Sequence, residues 1–532
     1  MLDTLIGVFW GTVALATASG SVLYVGHLAS RRFFHVEAPH VRWIAFGLIS
    51  SWLLVTISIA ALFARVYTVG GILALTLILA VIVHNRWRTW YAVDVELIEA
   101  RRSVASAARG IGAVLLFMGA FALVVEAVRA LLIPPLAWDA LTYHLTLAGM
   151  WIQTGGYSRL LAPDVWLDYS HFPNNGELVA GWLMLPYHSD LLVNLSNFPF
   201  FALGALSTYG VAREFDAGPK EALASAVAVV LSPPLFAYLT TNYVDVQVFA
   251  AEMTGTLFLI RYVKERHAQD CVLAFAAFGL AAGTKITGLV GLGFASAIVL
   301  CVLVTDRRKQ MLWGTGLGFL AASVVVFPWY LRNWIETANP LYPFNVAIGS
   351  VQLFTGSPLQ VGVATLPPVN SAEALRFWLI AIRYTPVSLP LTFGPFLIVA
   401  VTLGVVGLLM TLRGRHWRVT LIIALLCVGE LAVLMSRGMN EVRYYWPEVS
   451  LRFATLPFGL LAAAGAVTIS RISFWRPALM TLLMFLTSWY VLGINANAGS
   501  ANLTLALVIA STLLAMCSAL GVAHWLRRTK PQ

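Results

Sequence analysis

The sequence predicts an all-α polytopic membrane protein, a transmembrane helical bundle of about 12–15 spans with amphipathic helices and loops on its outer face. Three observations predict it. Of the 532 residues, 59% are hydrophobic and only 11% are charged, where a soluble domain carries about a quarter charged residues. Apolar runs recur that are long enough, at ~1.5 Å per residue, to cross a hydrocarbon core of ~30 Å. The basic residues fall mainly in the gaps between those runs, as the positive-inside rule requires.

Taken in order, the runs give spans at 4–29, 43–64, 68–85, 111–133, 190–212, 221–240, 246–263, 271–283, 286–305, 311–331, 391–412, 419–436, 446–469, 475–494 and 502–525. The first lacks a basic leader and is longer than a signal-peptide core, so it reads as a retained span. With the N-terminus outside, the loops bearing Arg31 and Arg32, Arg86 and Arg88, Arg213 and Lys220, Lys264 and Arg266, Arg307 to Lys309, Arg413 and Arg415, Arg471 and Arg476, and Arg527 and Arg528 all face the cytoplasm. The C-terminus then lies inside. A bacterial cytoplasmic membrane is the expected location. Two long segments, 134–189 and 332–390, fall on the outer face. Residues 134–152 and 373–384 read as amphipathic helices lying in the membrane interface. The chain divides into an N-terminal three-span addition (1–110), a core (111–470) and a two-span C-terminal segment (471–532).

The formal charge of +10 is topological. No basic cluster interleaved with aromatics could track a polynucleotide, so nucleic acid is not expected as a partner. Cys271, Cys301, Cys427 and Cys517 stand singly inside apolar runs, which excludes a disulfide framework or a cysteine metal motif. No phosphate-binding glycine loop and no Gly-x-Ser-x-Gly elbow is present. A site on the outer face, without a nucleotide-binding loop, points towards a donor that is itself a membrane lipid.

Asp139 leads the candidates. It lies in "WDALTYH" beyond a Pro-Pro break, with Tyr143 four residues on and His144 next to it. A carboxylate near an apolar interface is poised for general-base work; equally, Asp is a favoured helix cap. The loop "LAPDVWLDYSHFPNNGEL" brings Asp164, Asp168, His171, Asn174, Asn175 and Glu177 together. Either a divalent metal is bound by these acids or His171, or, the favoured reading, a turn starts the next helix and its side chains line a polar cavity. No metal ligand and no cofactor is assigned.

Lys285, after a run of only 13 residues (271–283), sits at or just below the outer interface, either to meet a phosphate or to snorkel to headgroups. Arg332, Arg437 and Arg443 are outer-face arginines suited to phosphate or lipid headgroups. Asp245 opens a span on the same side and either orients a sugar hydroxyl or caps its helix.

The set "WDALTYH", "FPNNGEL", "YVDV", "GLAAGTKITG", "PWYLRNWIETANPLYPF" and "RYYWP", in that order over roughly 110–470, resembles the GT-C superfamily of polyprenyl-phosphate-sugar glycosyltransferases. The likeness is to the bacterial branch related to protein O-mannosyltransferases and the lipid A aminoarabinose transferase. It implies a GT-C fold and a polyprenyl-phosphate-sugar donor embedded among membrane lipids. A glycan, lipid or protein would supply the acceptor hydroxyl. It implies Asp139 as the catalytic base, and Lys285 and Arg332, or the arginine pair Arg437 and Arg443, as phosphate ligands. The expected mechanism is inverting, with Tyr143, His144, His171, Asn175, Glu177 and Asp245 at the substrate. Two departures stand out: Ala140 replaces the mannosyltransferases' second acid, and three extra N-terminal spans replace any evident C-terminal periplasmic domain. The alternative from another class is a lipid-linked oligosaccharide flippase, which needs ionisable groups near the midplane. The ionisable residues sit mostly at span ends, with Glu126, Glu252 and Glu430 the main exceptions.

Overall fold

A computed structural model describes residues 2–34, 37–91, 111–159, 168–305, 309–348, 351–358, 394–412, 416–436 and 450–472, with a few isolated residues between them. The expected spans 475–494 and 502–525, the expected amphipathic helix 373–384 as a whole, and Asp164, Arg437 and Arg443 lie outside the described residues.

The described chain is helical apart from one small hairpin. Helix α1 (Leu2–Phe34), α2 (Pro39–Phe63) and α3 (Val69–Trp87) pack on one another at the N-terminus, followed by α4 (Ile111–Leu132). A π-helical turn (Ala140–His144) leads into α5 (Leu145–Thr154), and α6 (Asn175–Met184) packs against it. Then come α7 (Phe198–Glu214), α8 (Pro219–Val230), α9 (Asp245–Glu265), α10 (Ala268–Thr284), α11 (Gly288–Thr305) and α12 (Lys309–Thr337). Strands β1 (Val346–Ile348) and β2 (Val351–Phe354) pair antiparallel, Ile348 opposite Val351. Helices α13 (Gly394–Leu412), α14 (Trp417–Leu434) and α15 (Thr455–Arg471) complete the described bundle.

Eight of the described helices are long and apolar enough to cross a membrane. Their outward faces carry large apolar side chains, such as Leu77, Ile78, Val81 and Ile82 on α3, as a lipid-facing surface requires. The centre is different. Helices α9 and α10 are buried along nearly their whole length. Helix α9 is too polar for a lipid-exposed span and satisfies its polar groups internally: Thr254 bonds Ser207 at 2.7 Å and the Ala250 carbonyl at 2.7 Å.

Two expectations change in detail. The run 221–240 is broken: the twelve-residue α8 ends at Val230 and a four-residue helical turn follows at Pro233–Phe236, because Ser232-Pro233-Pro234 interrupts the backbone ladder. The outer helix 134–152 is amphipathic but begins later. Trp138 and Leu141 point outward, while Ala140, His144, Leu145, Leu147, Ala148 and Trp151 are buried. Its end is fixed by Gly155, whose φ of 65° gives the left-handed cap that other residues resist.

Candidate functional site

Four chain segments meet where α9 begins and α10 ends. Asp139 stands at the entrance to the π-helical turn, in which the Leu145 N–H bonds the Ala140 carbonyl. Such turns occur mostly as single insertions, frequently at functional positions. The Asp139 side chain is 24% exposed, and its Oδ2 accepts a bond from Arg452 Nη2 at 3.1 Å. Its backbone N–H donates to the Tyr243 hydroxyl at 3.2 Å. Asp245, the first residue of α9, accepts a bond from Lys285 Nζ at 2.6 Å. Lys285 follows the last turn of α10 in extended backbone, which turns its side chain out of the helix.

The two ion pairs adjoin across one aromatic ring. Lys285 Nζ lies 4.0 Å from the centroid of Phe453, and the Arg452 guanidinium 5.0 Å from it. Arg452 also stands 5.0 Å from the Tyr243 ring and 5.7 Å from Tyr238. Cations over ring faces are stabilised by the ring quadrupole. Burial pushes the Asp245 carboxyl up, but Lys285 and Arg452 outweigh it and hold the group below its usual range. Burial pushes the Tyr143 phenol well above its ordinary value, and the Asp139 charge pushes the same way. Tyr143 therefore stays protonated.

A polar lattice sets the loop that carries Tyr243. Asn197 Nδ2 donates to the carbonyls of Tyr238 at 3.1 Å and Tyr243 at 2.8 Å, while its Oδ1 accepts from Gln247 at 3.0 Å. Asn242 holds a φ of 62°, bonded to Asn194 at 2.6 Å.

The other expected site residues lie around this centre in several separate settings. His144 and Glu177 pair with each other, Nδ1 to Oε1 at 2.7 Å, and both are buried. Glu177 lies in the first turn of α6, where a carboxylate suits the helix dipole. Asn175 is a packing contact: its Oδ1 accepts from Trp329 Nε1 at 2.8 Å, and its amide points to the Leu280 carbonyl. Arg332 is buried and gives its guanidinium to Asn174 at 2.9 Å, the Phe172 carbonyl at 3.1 Å and Asn333 at 2.8 Å. That clamps the "FPNNGEL" turn onto α12. His171 lies 3.5 Å from Glu336 and edge-on to Tyr342. Asp168 accepts a bond from Ser357 at 2.6 Å. Tyr143 stacks on Tyr169 with centroids 4.7 Å apart, forming one wall beside Asp139.

Arg452 is the residue that sequence reading missed. Its signal was a single arginine inside the run 446–469, and an intramembrane charge is functional by default. Of the three acids far from span ends, Glu126 pairs with Arg129 at 2.8 Å. Glu252 and Glu430 are buried, each with an oxygen that has no hydrogen-bond partner.

Comparison with known proteins bears on this region. Residues 181–331 match the model of the family described as dolichyl-phosphate-mannose-protein mannosyltransferase. The match includes Asp245 and Lys285 and ends one residue before Arg332. No curated protein matches the chain. Among solved structures, ArnT from Cupriavidus metallidurans in the apo state is 15% identical with a TM-score of 0.49, over 78% of this chain and 72% of that one. The same protein bound to undecaprenyl phosphate is 16% identical with a TM-score of 0.47, over 77% and 74%. The Archaeoglobus fulgidus oligosaccharyltransferase, in complex with Zn and sulfate, is 13% identical with a TM-score of 0.45, over 72% and 52%. The family match and the ordered motifs agree: this polytopic membrane chain resembles the GT-C superfamily of glycosyltransferases, of the kind that use a lipid-linked sugar.

Proposed function

We propose that the chain transfers a sugar from a polyprenyl-phosphate donor to an acceptor hydroxyl on the outer face of a bacterial cytoplasmic membrane, with inversion at the anomeric carbon. The observation that carries this reading is the juxtaposition of Asp139–Arg452 with Asp245–Lys285. Two carboxylates and two cations from four segments meet at one end of the bundle, walled by Phe453, Tyr238 and Tyr243.

Each group has a task. The acceptor oxygen attacks the anomeric carbon while Asp139 takes its proton. The bond from that carbon to the phosphate oxygen breaks on the opposite face, and the phosphate leaves with the electron pair. Lys285 and Arg452 stabilise the charge that develops on it, as preorganised cations do in a site of low dielectric. Arg452 is the pivotal group, since it must be shared between Asp139 and the phosphate. Asp245 holds Lys285 in place, and Tyr143 supplies a protonated hydroxyl beside the base. His144 and Glu177, bonded to each other, position the π-helical turn against α6 and need not touch the sugar. Arg332 supports the loop, and Arg437 and Arg443 remain candidate phosphate ligands.

The flippase reading draws on Glu252 and Glu430, buried carboxyls within spans. A single assay separates the two. Full-length protein in lipid nanodiscs, given a polyprenyl-phosphate sugar and an acceptor glycan or glycolipid, should release free polyprenyl phosphate. Asp139→Asn should lower the single-turnover rate by about 10²–10⁴-fold. Undiminished turnover in a well-folded Asp139→Asn protein would remove Asp139 from the chemistry, and absence of turnover with every acceptor class would favour transport.

A further inference from the structure

The opposite end of α9 carries a second cluster of charge. The helix has 21 residues, so its two ends stand about 30 Å apart, and the reaction proposed above does not involve the far one. There, Arg261 sits among four carboxylates. Its Nη2 lies 2.9 Å from Glu37 Oε2 and 3.1 Å from Glu265 Oε2, its Nη1 3.5 Å from Glu214 Oε1, and its Nε 3.3 Å from Asp270 Oδ1. Lys264 also pairs with Glu214. In this network of direct pairs, four carboxylates meet two fixed cations.

His267 completes the group. Its Nδ1 lies 3.4 Å from Glu265 Oε2 and 3.8 Å from Asp270 Oδ2. Glu37, Glu265 and His267 can each offer one ligand atom such that the three atoms lie within 4.8 Å of one another. Among the described residues no other His, Cys and acid group comes so close. The second observation is Asp270. Its side chain is fully buried, Arg261 takes one oxygen, and Oδ2 has no hydrogen-bond partner while facing His267. An orphaned buried carboxylate oxygen is costly unless positive charge meets it.

We propose that Glu37, Glu265 and His267 bind one divalent transition-metal cation of the zinc class, with Asp270 Oδ2 as a further oxygen donor at its edge. One imidazole with carboxylates suits a borderline cation such as zinc better than calcium, which takes oxygen ligands alone. The site's three ligands come from the link between α1 and α2, the end of α9 and the link to α10. The ion therefore fastens the N-terminal spans to the core.

The test is metal binding by the full chain in nanodiscs after chelator treatment, followed by calorimetry with zinc and with calcium. One zinc per chain should bind. His267→Ala and Glu37→Gln should each weaken it more than tenfold, and His267→Asn serves if the alanine variant fails to fold. The exposed His188→Ala control should bind as the parent does. No saturable zinc binding, unchanged affinity in the His267 and Glu37 variants, or calcium binding as tight as zinc would each overturn the assignment.

Discussion

Arg452 illustrates how one guanidinium sets the state of a site. It bonds Asp139 and leans on three aromatic rings, so it is held in place; in the proposed reaction it would be shared between that carboxylate and the donor phosphate. Arg452→Lys should keep a cation but lose the planar fork. The expected result is a donor KM raised about tenfold or more with a smaller change in kcat, measured against donor concentration. Arg452→Met should lower both. The neighbouring pair behaves differently with pH. The Asp245 carboxyl is held below its ordinary range by Lys285 and Arg452 against burial. Its stabilisation is therefore complete above the unfolded value of about 3.9 and is lost as pH falls through the lower folded value. The gap in thermal stability between parent and Asp245→Asn should stay constant from pH 7 to pH 5 and shrink only below about pH 4. Removing His144 should leave Glu177 as an unpaired buried charge, which costs about 3–5 kcal/mol. Denaturation of His144→Ala against His144→Ala/Glu177→Gln checks it, since the double variant should recover part of the loss.

At the scale of elements, close approach of helices positions the loops. Gly283, in the last turn of α10, has no room for a methyl group: a Cβ there would lie 2.2 Å from Asn175 Nδ2 and 2.2 Å from the Val325 carbonyl. Glycine is thus the residue that lets α10 touch both α12 and the start of α6, and it lies two residues from Lys285. Gly283→Ala should destabilise by about 1–3 kcal/mol, the range for overpacking, and should lower transfer rate through misplacement of Lys285. Thermal unfolding and turnover of the same preparation measure both. The spans were largely legible in the sequence because length and hydropathy suffice to place a helix in lipid. The expected 286–305 and 311–331 correspond to Gly288–Thr305 and Lys309–Thr337. The π-helical turn at Ala140–His144 was not legible. One inserted residue leaves no periodic mark in five positions, and only packing against α6 and Tyr243 fixes it.

For the whole molecule, sidedness is the property that every functional statement depends on. The alternation of basic loops predicts that the start of α9 lies outside and its end in the cytoplasm, and the proposed function rests on that prediction. In a background lacking the four native cysteines, the exposed Ser189→Cys should react with a membrane-impermeant thiol reagent added to intact cells. The exposed Gln310→Cys should react only after permeabilisation. The reverse pattern would invert the topology and place the proposed site on the cytoplasmic side.

The sequence by itself determined the membrane class, the approximate spans and a short roster of polar residues that are costly in lipid, among them Asp139, Asp245 and Lys285. Those follow from hydropathy and desolvation, which are properties of local composition. Only the tertiary structure decided who meets whom. Asp139 pairs with a residue 313 positions away, and Lys285 with one 40 positions away. Glu177 turned to His144, and Arg332 to the loop it clamps. Pairing depends on where helices cross, and helix crossing is set by the packing of whole faces, such as the glycine contact of α10, rather than by any spacing along the chain.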